Sequence, residues 1–355
     1  MDRLTVDEGL QSIEGAGMAL SLNKKALAIV KEMLSRSEEL KIKASKVDCG
    51  ATVIDCGVNT KGSVDAGLYV TRVTAGDLAQ VSLSTMNYGD FALPTILVFS
   101  DHPVLATIGG QLGDWEVKYE NYSAVGSGPA RALALDRNIP TAVGAKRETL
   151  RERGLFTYTP MEIYEKIGYR DSHDKAVIVL ESSEIPPNRI LELIAAACHI
   201  KSEGLFALVA PISSLAGSVQ IAGRIVEVGI HKLSLMGFDF KKILFGSGYA
   251  PIAPVHRNHA EAMGRTNDAI RYGGVTYYIV DFDDDEKLKD FVDMVPPSDN
   301  KSFAEIFKTA TRGFYDVDLR AFAPAVITVT NSRTGKTFTA GRIKPEFLRK
   351  TLGIA

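Results

Sequence analysis

Apolar positions in Lys24-Lys-Ala-Leu-Ala-Ile-Val-Lys-Glu-Met-Leu34 recur every three or four residues behind the capping residues Ser21-Leu-Asn23, which predicts an opening helix. From Lys43 to Phe99 the texture changes to short runs of Val, Ile and Thr separated by Gly, Asn and Asp, the pattern of strands and hairpins. Helical spacing returns over His102 to Leu112. Glu116 to Ser123 then alternates as a strand running into Gly126-Ser-Gly128. A similar order comes later: Leu205 to Ala210 reads as a buried strand, Ser214 to Leu235 as one long helix, and Lys241 to Phe245 as a strand entering Gly246-Ser-Gly248. Two Gly-Ser-Gly turns in matching contexts suggest an internal repeat, although glycine-rich strand ends also arise by convergent turn chemistry.

Between these stretches, residues 136–170 are charged, holding Arg137, Lys146, Arg147, Glu148, Arg151, Glu152 and Arg153, and Thr159-Pro-Met-Glu162 reads as a helix start. Beyond residue 272, Gly273 to Val280 reads as a strand, Asp281 to Glu286 as an acidic turn, and Ser302-Phe-Ala-Glu305 as a capping box. Ala325 to Thr330 and Thr337 to Thr339 bracket Asn331 to Lys336 as a hairpin does. The predicted fold is α/β, of the α+β type, with two side-by-side α/β domains over 23–135 and 171–322 and a cleft between them. An extension over 1–22, a linker or insertion over 136–170, and a terminal hairpin and helix over 323–355 complete it.

Composition narrows the partners. The 355 residues are 45% hydrophobic, enough for a substantial core. With 41 basic and 43 acidic residues the formal charge is -2, which disfavours nucleic acid and anionic lipid as partners. Cys49, Cys56 and Cys198 form neither an even disulfide framework nor a Cys-x-x-Cys pair, so reduced thiols in a cytoplasm are expected. No apolar run reaches the ~18 residues of a spanning helix.

The strongest chemical signal is Gly217-Ser-Val-Gln-Ile-Ala-Gly-Arg-Ile-Val-Glu-Val-Gly229. Helical spacing puts Gln220, Arg224 and Glu227 on one face of an otherwise small and apolar segment. Spacing alone favours a solvated Arg-Glu pair. The apolar neighbours argue instead for enclosure, in which an arginine holds a carboxylate ionised and aimed.

Other motifs are weaker. Thr334-Gly-Lys-Thr337 lacks the earlier glycine of a phosphate loop and reads as a hairpin turn. His256, His259 and Glu261 do not converge at metal-ligand spacing, and no metal is expected. Cys198 and His199, adjacent in sequence, point apart; His102 is a minor candidate for the cleft. The glycine turns, Gly126, Ser127 and Gly128 with Arg131 and Gly246, Ser247 and Gly248, are candidate anion cradles, with tight-turn geometry as the alternative. Arg265, Asn267 and Asp268 are candidates for ligand contact, with capping and local salt bridging as the alternative.

The Gly217–Gly229 run, Gly246-Ser-Gly-Tyr-Ala-Pro-Ile-Ala-Pro254 and Ala262-Met-Gly-Arg-Thr-Asn-Asp-Ala-Ile270 together resemble methenyltetrahydromethanopterin cyclohydrolases. Thr52-Val-Ile-Asp-Cys-Gly57, Asp101-His-Pro103, Gly126-Ser-Gly-Pro-Ala-Arg131 and Leu180-Glu-Ser-Ser-Glu184 add to the likeness in the same order, from about residue 22 to about 352. The resemblance implies reversible hydrolysis of 5,10-methenyltetrahydromethanopterin to the 5-formyl compound. No prosthetic group would be needed, the carrier being the substrate, and a homotrimer would be the assembly. It implies that Glu227 activates water, Arg224 aligns it, Gln220 touches ring or water, and Arg131 or Arg265 attends the phosphate tail. The same chemistry on a folate-type carrier, or a silent pterin- or phosphate-binding protein, are the alternatives.

Overall fold

The computed structural model describes residues 20–134, 160–308 and 317–355. Among these residues twelve strands form two mixed six-stranded sheets. In the first, β1 (Lys43–Lys46), β2 (Thr52–Asp55), β8 (Leu205–Val209), β7 (Ala176–Glu181), β6 (Tyr122–Ser127) and β5 (Trp115–Tyr119) lie in that order. The second runs β12 (Thr337–Gly341), β11 (Val326–Asn331), β10 (Val275–Val280), β9 (Ile243–Pro251), β4 (Phe91–Ser100), β3 (Gln80–Tyr88). The fold is α/β, and each sheet draws strands from both 23–135 and 171–322.

The first sheet is covered on both faces, so its central strand is apolar throughout rather than alternating. In β7, Val177 and Val179 pack with α1 (Leu22–Ser35) and α3 (Val64–Thr74), while Ile178 and Leu180 face Ile190, Leu191 and Ile194 of α5 (Asn188–Ala197). A short α2 (Ser37–Leu40) follows α1, and α4 spans Pro160–Ile167. The predicted opening helix is present, capped by Ser21.

The stretch predicted as strands alone from Lys43 to Phe99 contains α3. Its Val, Thr and Gly content resembles strand composition, but Ser63 caps Ala66 and a buried face of Ala66, Tyr69, Val70 and Val73 sets the period. The second sheet packs one face, through Ile96, Val98, Ala250, Tyr278, Val280, Ile327 and Val329, on the largest core cluster, which also takes in α6 (Leu215–Ala222) and α7 (Ile225–Leu235). The hairpin β11–β12 forms as its spacing predicts, with Thr334 to Lys336 in the turn and Gly335 at φ 72°.

Among the described residues the remaining helices are α8 (His259–Gly273), α9 (Asp285–Asp293), α10 (Phe303–Phe307), which opens on the capping box at Ser302, and α11 (Pro345–Leu352). Among the described residues no helix is long and apolar enough to cross a membrane. The predicted extension over 1–22 falls almost wholly outside the described residues, as does the linker up to residue 159. The helix predicted to start there is present from Pro160 as α4, Thr159 itself lying outside the described residues.

Candidate active site

The predicted single helix from Ser214 to Leu235 is two helices meeting at Gly223-Arg224. Arg224 stands at φ -82°, ψ 7° as the residue before α7, and its N–H reaches back only to Ile221, at 3.0 Å. Packing explains the break. A Cβ on Gly223 would lie 2.5 Å from Thr71 Cγ2, so α3 approaches the backbone there, and Gln111 Nε2 donates to the Gly223 carbonyl at 3.3 Å.

The break leaves the polar face intact and aims it inward. Arg224 Nε donates to Gln220 Oε1 at 3.4 Å and Nη1 lies 3.4 Å from Glu227 Oε2. The other guanidinium contacts are with Ser127 Oγ, 3.2 Å from Nη2, and the Gln111 carbonyl, bonded by Nη1. Gln220 Nε2 in turn donates to Glu181 Oε2 at 3.3 Å. Glu181, Gln220, Arg224 and Glu227 therefore form one hydrogen-bonded line.

Glu227 is 5% exposed and occupies the first turn of α7, where the helix dipole favours a carboxylate. Burial nevertheless pushes its carboxyl above the usual range, with Arg224 opposing. The Glu181 carboxyl, at the carboxyl end of β7, is raised for the same reason, with Arg224, His259 and Gln220 opposing.

These groups line a cavity of about 80 Å³ whose wall is mostly apolar, from Leu112, Ile212, Ile221, Val228, Ile270, Leu319 and Phe322. It lies between the carboxyl ends of first-sheet strands and helices α6, α7 and α8. His231, one turn beyond Glu227 on α7, also lines it, with its imidazole drawn down to about 4, mainly by burial. One rim comes from Leu112-Gly113-Asp114, which come directly after a π-helical segment, Leu105–Gln111. Asp114 pairs with Arg131, both side chains 0% exposed, and Arg131 also donates to the Gly109 carbonyl.

The predicted residues divide accordingly. Glu227, Arg224 and Asn267 line the cavity, and Gln220 and Ser127 hold Arg224 from behind. Gly126 lies inside β6 and Gly128, at φ 100°, donates its N–H to the Gly110 carbonyl at 2.7 Å, so that turn clamps the π-helical segment. Gly128 leads only into the four-residue 3-10 turn Pro129–Ala132, whose first residue has no N–H. Arg131 is consumed by Asp114.

The second expected turn, Gly246 to Gly248, is instead the middle of β9, paired with β4 and β10 on its two edges. Its glycines are required by close packing: a Cβ on Gly248 would lie 3.0 Å from Ile225 Cγ1, and one on Gly246 the same distance from Val226 Cγ1. Asp268 accepts the Phe303 N–H at 2.7 Å, and Arg265 lies against Gly353, so neither reaches the cavity wall. Glu181, His231, Asp114 and Gln111 were not among the predicted site residues. Glu181 had a sequence signal, standing within the quoted Leu180 to Glu184 motif, whereas the others come from packing.

Residues 21–150 and 153–352 match the cyclohydrolase (MCH) family. The chain belongs to this family. Similar members of it are the methenyltetrahydromethanopterin cyclohydrolases of Methanococcoides burtonii, 42% identical over 84% of this chain and 87% of the relative, and of Methanocaldococcus jannaschii, 40% identical over 94% and 98%. That of Methanothermobacter marburgensis is 40% identical over 84% and 88%. The motifs that carry the resemblance thus sit in an MCH-family chain, and in it the Arg224-x-x-Glu227 pair lines the cavity.

Proposed function

We propose that this protein catalyses the reversible hydrolysis of 5,10-methenyltetrahydromethanopterin to 5-formyltetrahydromethanopterin, with Glu227 as general base and Arg224 as its aligning partner. The supporting observation is a buried carboxylate 3.4 Å from a guanidinium on the wall of a mostly apolar cavity. The methenyl carbon lies between two nitrogens and shares their positive charge, so the electrophile comes with the substrate. The protein's contribution is an oriented water and a base.

Water oxygen bonds to the methenyl carbon as Glu227 takes one of its protons, giving a neutral hydroxylated intermediate. The carbon–N10 bond then breaks as Glu227 returns that proton to N10 and accepts the hydroxyl proton. The carbonyl forms, and one proton leaves to solvent. Arg224 keeps the carboxylate available against the cost of burial. Gln220, held at Glu181, fixes Arg224 along the helix axis, and Ser127 and the Gln111 carbonyl fix it across the cavity. Loss of methenyl absorbance with the tetrahydromethanopterin carrier, against none or far less with a folate-type carrier, is the expected result; tight binding of either without turnover would overturn the reading.

We also infer a homo-oligomer, a trimer as the resemblance implies, built on the second sheet's outward face. Leu97, Phe99, Ser247, Tyr249, Tyr277, Ile279, Thr328 and Thr330 share that face by register, half-buried or exposed and all uncharged. Light scattering on the eluting protein should give three chain masses; a single chain mass would refute it.

A further inference from the structure

Among the described residues the charges on the cavity wall do not balance. Arg131 neutralises Asp114 in a fully buried pair, which leaves one guanidinium, Arg224, against two carboxylates, Glu181 and Glu227, on the same wall. His231 adds no compensating charge, because burial keeps it neutral near pH 7. His259, near Glu181 at the start of α8, is exposed and screened by water. With both glutamates ionised the described wall carries one excess negative charge.

Glu181 is 9% exposed and held by one hydrogen bond, from Gln220 to Oε2. Among the described residues its Oε1 accepts none. Glu181 lines the cavity, and that oxygen is accessible rather than sealed in the core. Glu181 stands at the carboxyl end of a central strand that runs parallel to β8, the end at which open α/β sheets present groups to ligands.

We propose that Glu181 is a substrate-binding carboxylate that matches the cationic charge of the methenyl compound, so the site selects the cation over the neutral carrier. This rests on the reading under Proposed function. The wall's excess negative charge is unfavourable in an apolar cavity and is cancelled when a cation enters. Glu227 cannot fill this place throughout the reaction, because it becomes neutral as it takes the water proton. Glu181 takes no part in that proton transfer, holding the cation beforehand and leaving the neutral formyl product unpaired and easier to release.

The test compares wild type with Glu181→Gln, which keeps the shape and the contact to Gln220. The KM for the methenyl cation and the inhibition constant of unmodified tetrahydromethanopterin, which has the same rings and tail without the positive bridge, are measured together. The expected result is a rise in KM of about 10- to 100-fold, with the inhibition constant within about twofold and kcat reduced less than about tenfold. An equal weakening of both ligands, or no change in KM, overturns the proposal. If wild type shows no turnover, the hydrolytic reading fails instead, and equilibrium binding of the same two ligands to the two proteins still decides the place of Glu181.

Discussion

Replacing Arg131 by Met removes one member of an ion pair whose two side chains are both 0% exposed, and leaves Asp114 charged in the interior. The guanidinium also donates to the Gly109 carbonyl and lies 5.7 Å from the centre of the Tyr164 ring, so packing is lost with the charge. Breaking such a pair from one side costs about 3–5 kcal/mol, mostly because the remaining buried charge loses its counter-ion. Neutralising it should recover part of that cost. Arg131→Met/Asp114→Asn is therefore expected to be more stable than Arg131→Met alone by about 1–3 kcal/mol. Urea unfolding followed by far-UV circular dichroism and by Trp115 measures both; Trp115 is the only tryptophan, 2% exposed and next to Asp114. The reasoning is refuted if Arg131→Met costs under about 1 kcal/mol, or if Asp114→Asn adds its own loss to that of Arg131→Met.

The same geometry fixes further outcomes. Gly223→Ala places a Cβ 2.5 Å from Thr71 Cγ2 and should cost about 1–3 kcal/mol in thermal unfolding while lowering turnover through Arg224; a neutral substitution would show that the helix break does not depend on that approach. Because burial raises the Glu227 carboxyl and a base must be ionised, hydrolysis should fall on the acid side at a pH above the ordinary glutamate range. An acid limb within or below that range contradicts this. Asp268, raised to about 7 from 3.8 chiefly by burial, binds its proton more tightly folded than unfolded, so it contributes stability at low pH that is lost as pH rises through about 7. Asp268→Asn, which can still accept from the Phe303 N–H, should flatten that decline; an unchanged dependence of melting temperature between pH 5 and pH 8 would oppose it.

Legibility in the sequence tracked how local each determinant is. The opening helix, the β11–β12 hairpin and the capping box at Ser302 are set by side chains within a few residues of one another, and all were readable. Gln220, Arg224 and Glu227 were readable because a polar face inside an apolar helix is a local contrast. The hidden elements came from distant packing. Val- and Thr-rich α3 is helical because its buried face demands it, and Gly223 interrupts the long helix because α3 approaches from elsewhere in the chain. Gly246-Ser-Gly248 has the composition of a turn, yet it is a strand whose glycines make room for Ile225 and Val226. Arg131 has the motif position of an anion contact, but its partner Asp114 comes from a strand hairpin away.

The proposed chemistry depends most directly on Glu227. Single-turnover loss of methenyl absorbance with Glu227→Gln, at saturating enzyme, separates chemistry from binding. A fall of about 10² to 10⁴ in the rate with binding of the methenyl compound retained is predicted, whereas a rate equal to that of wild type would contradict the claim that this carboxylate activates the water.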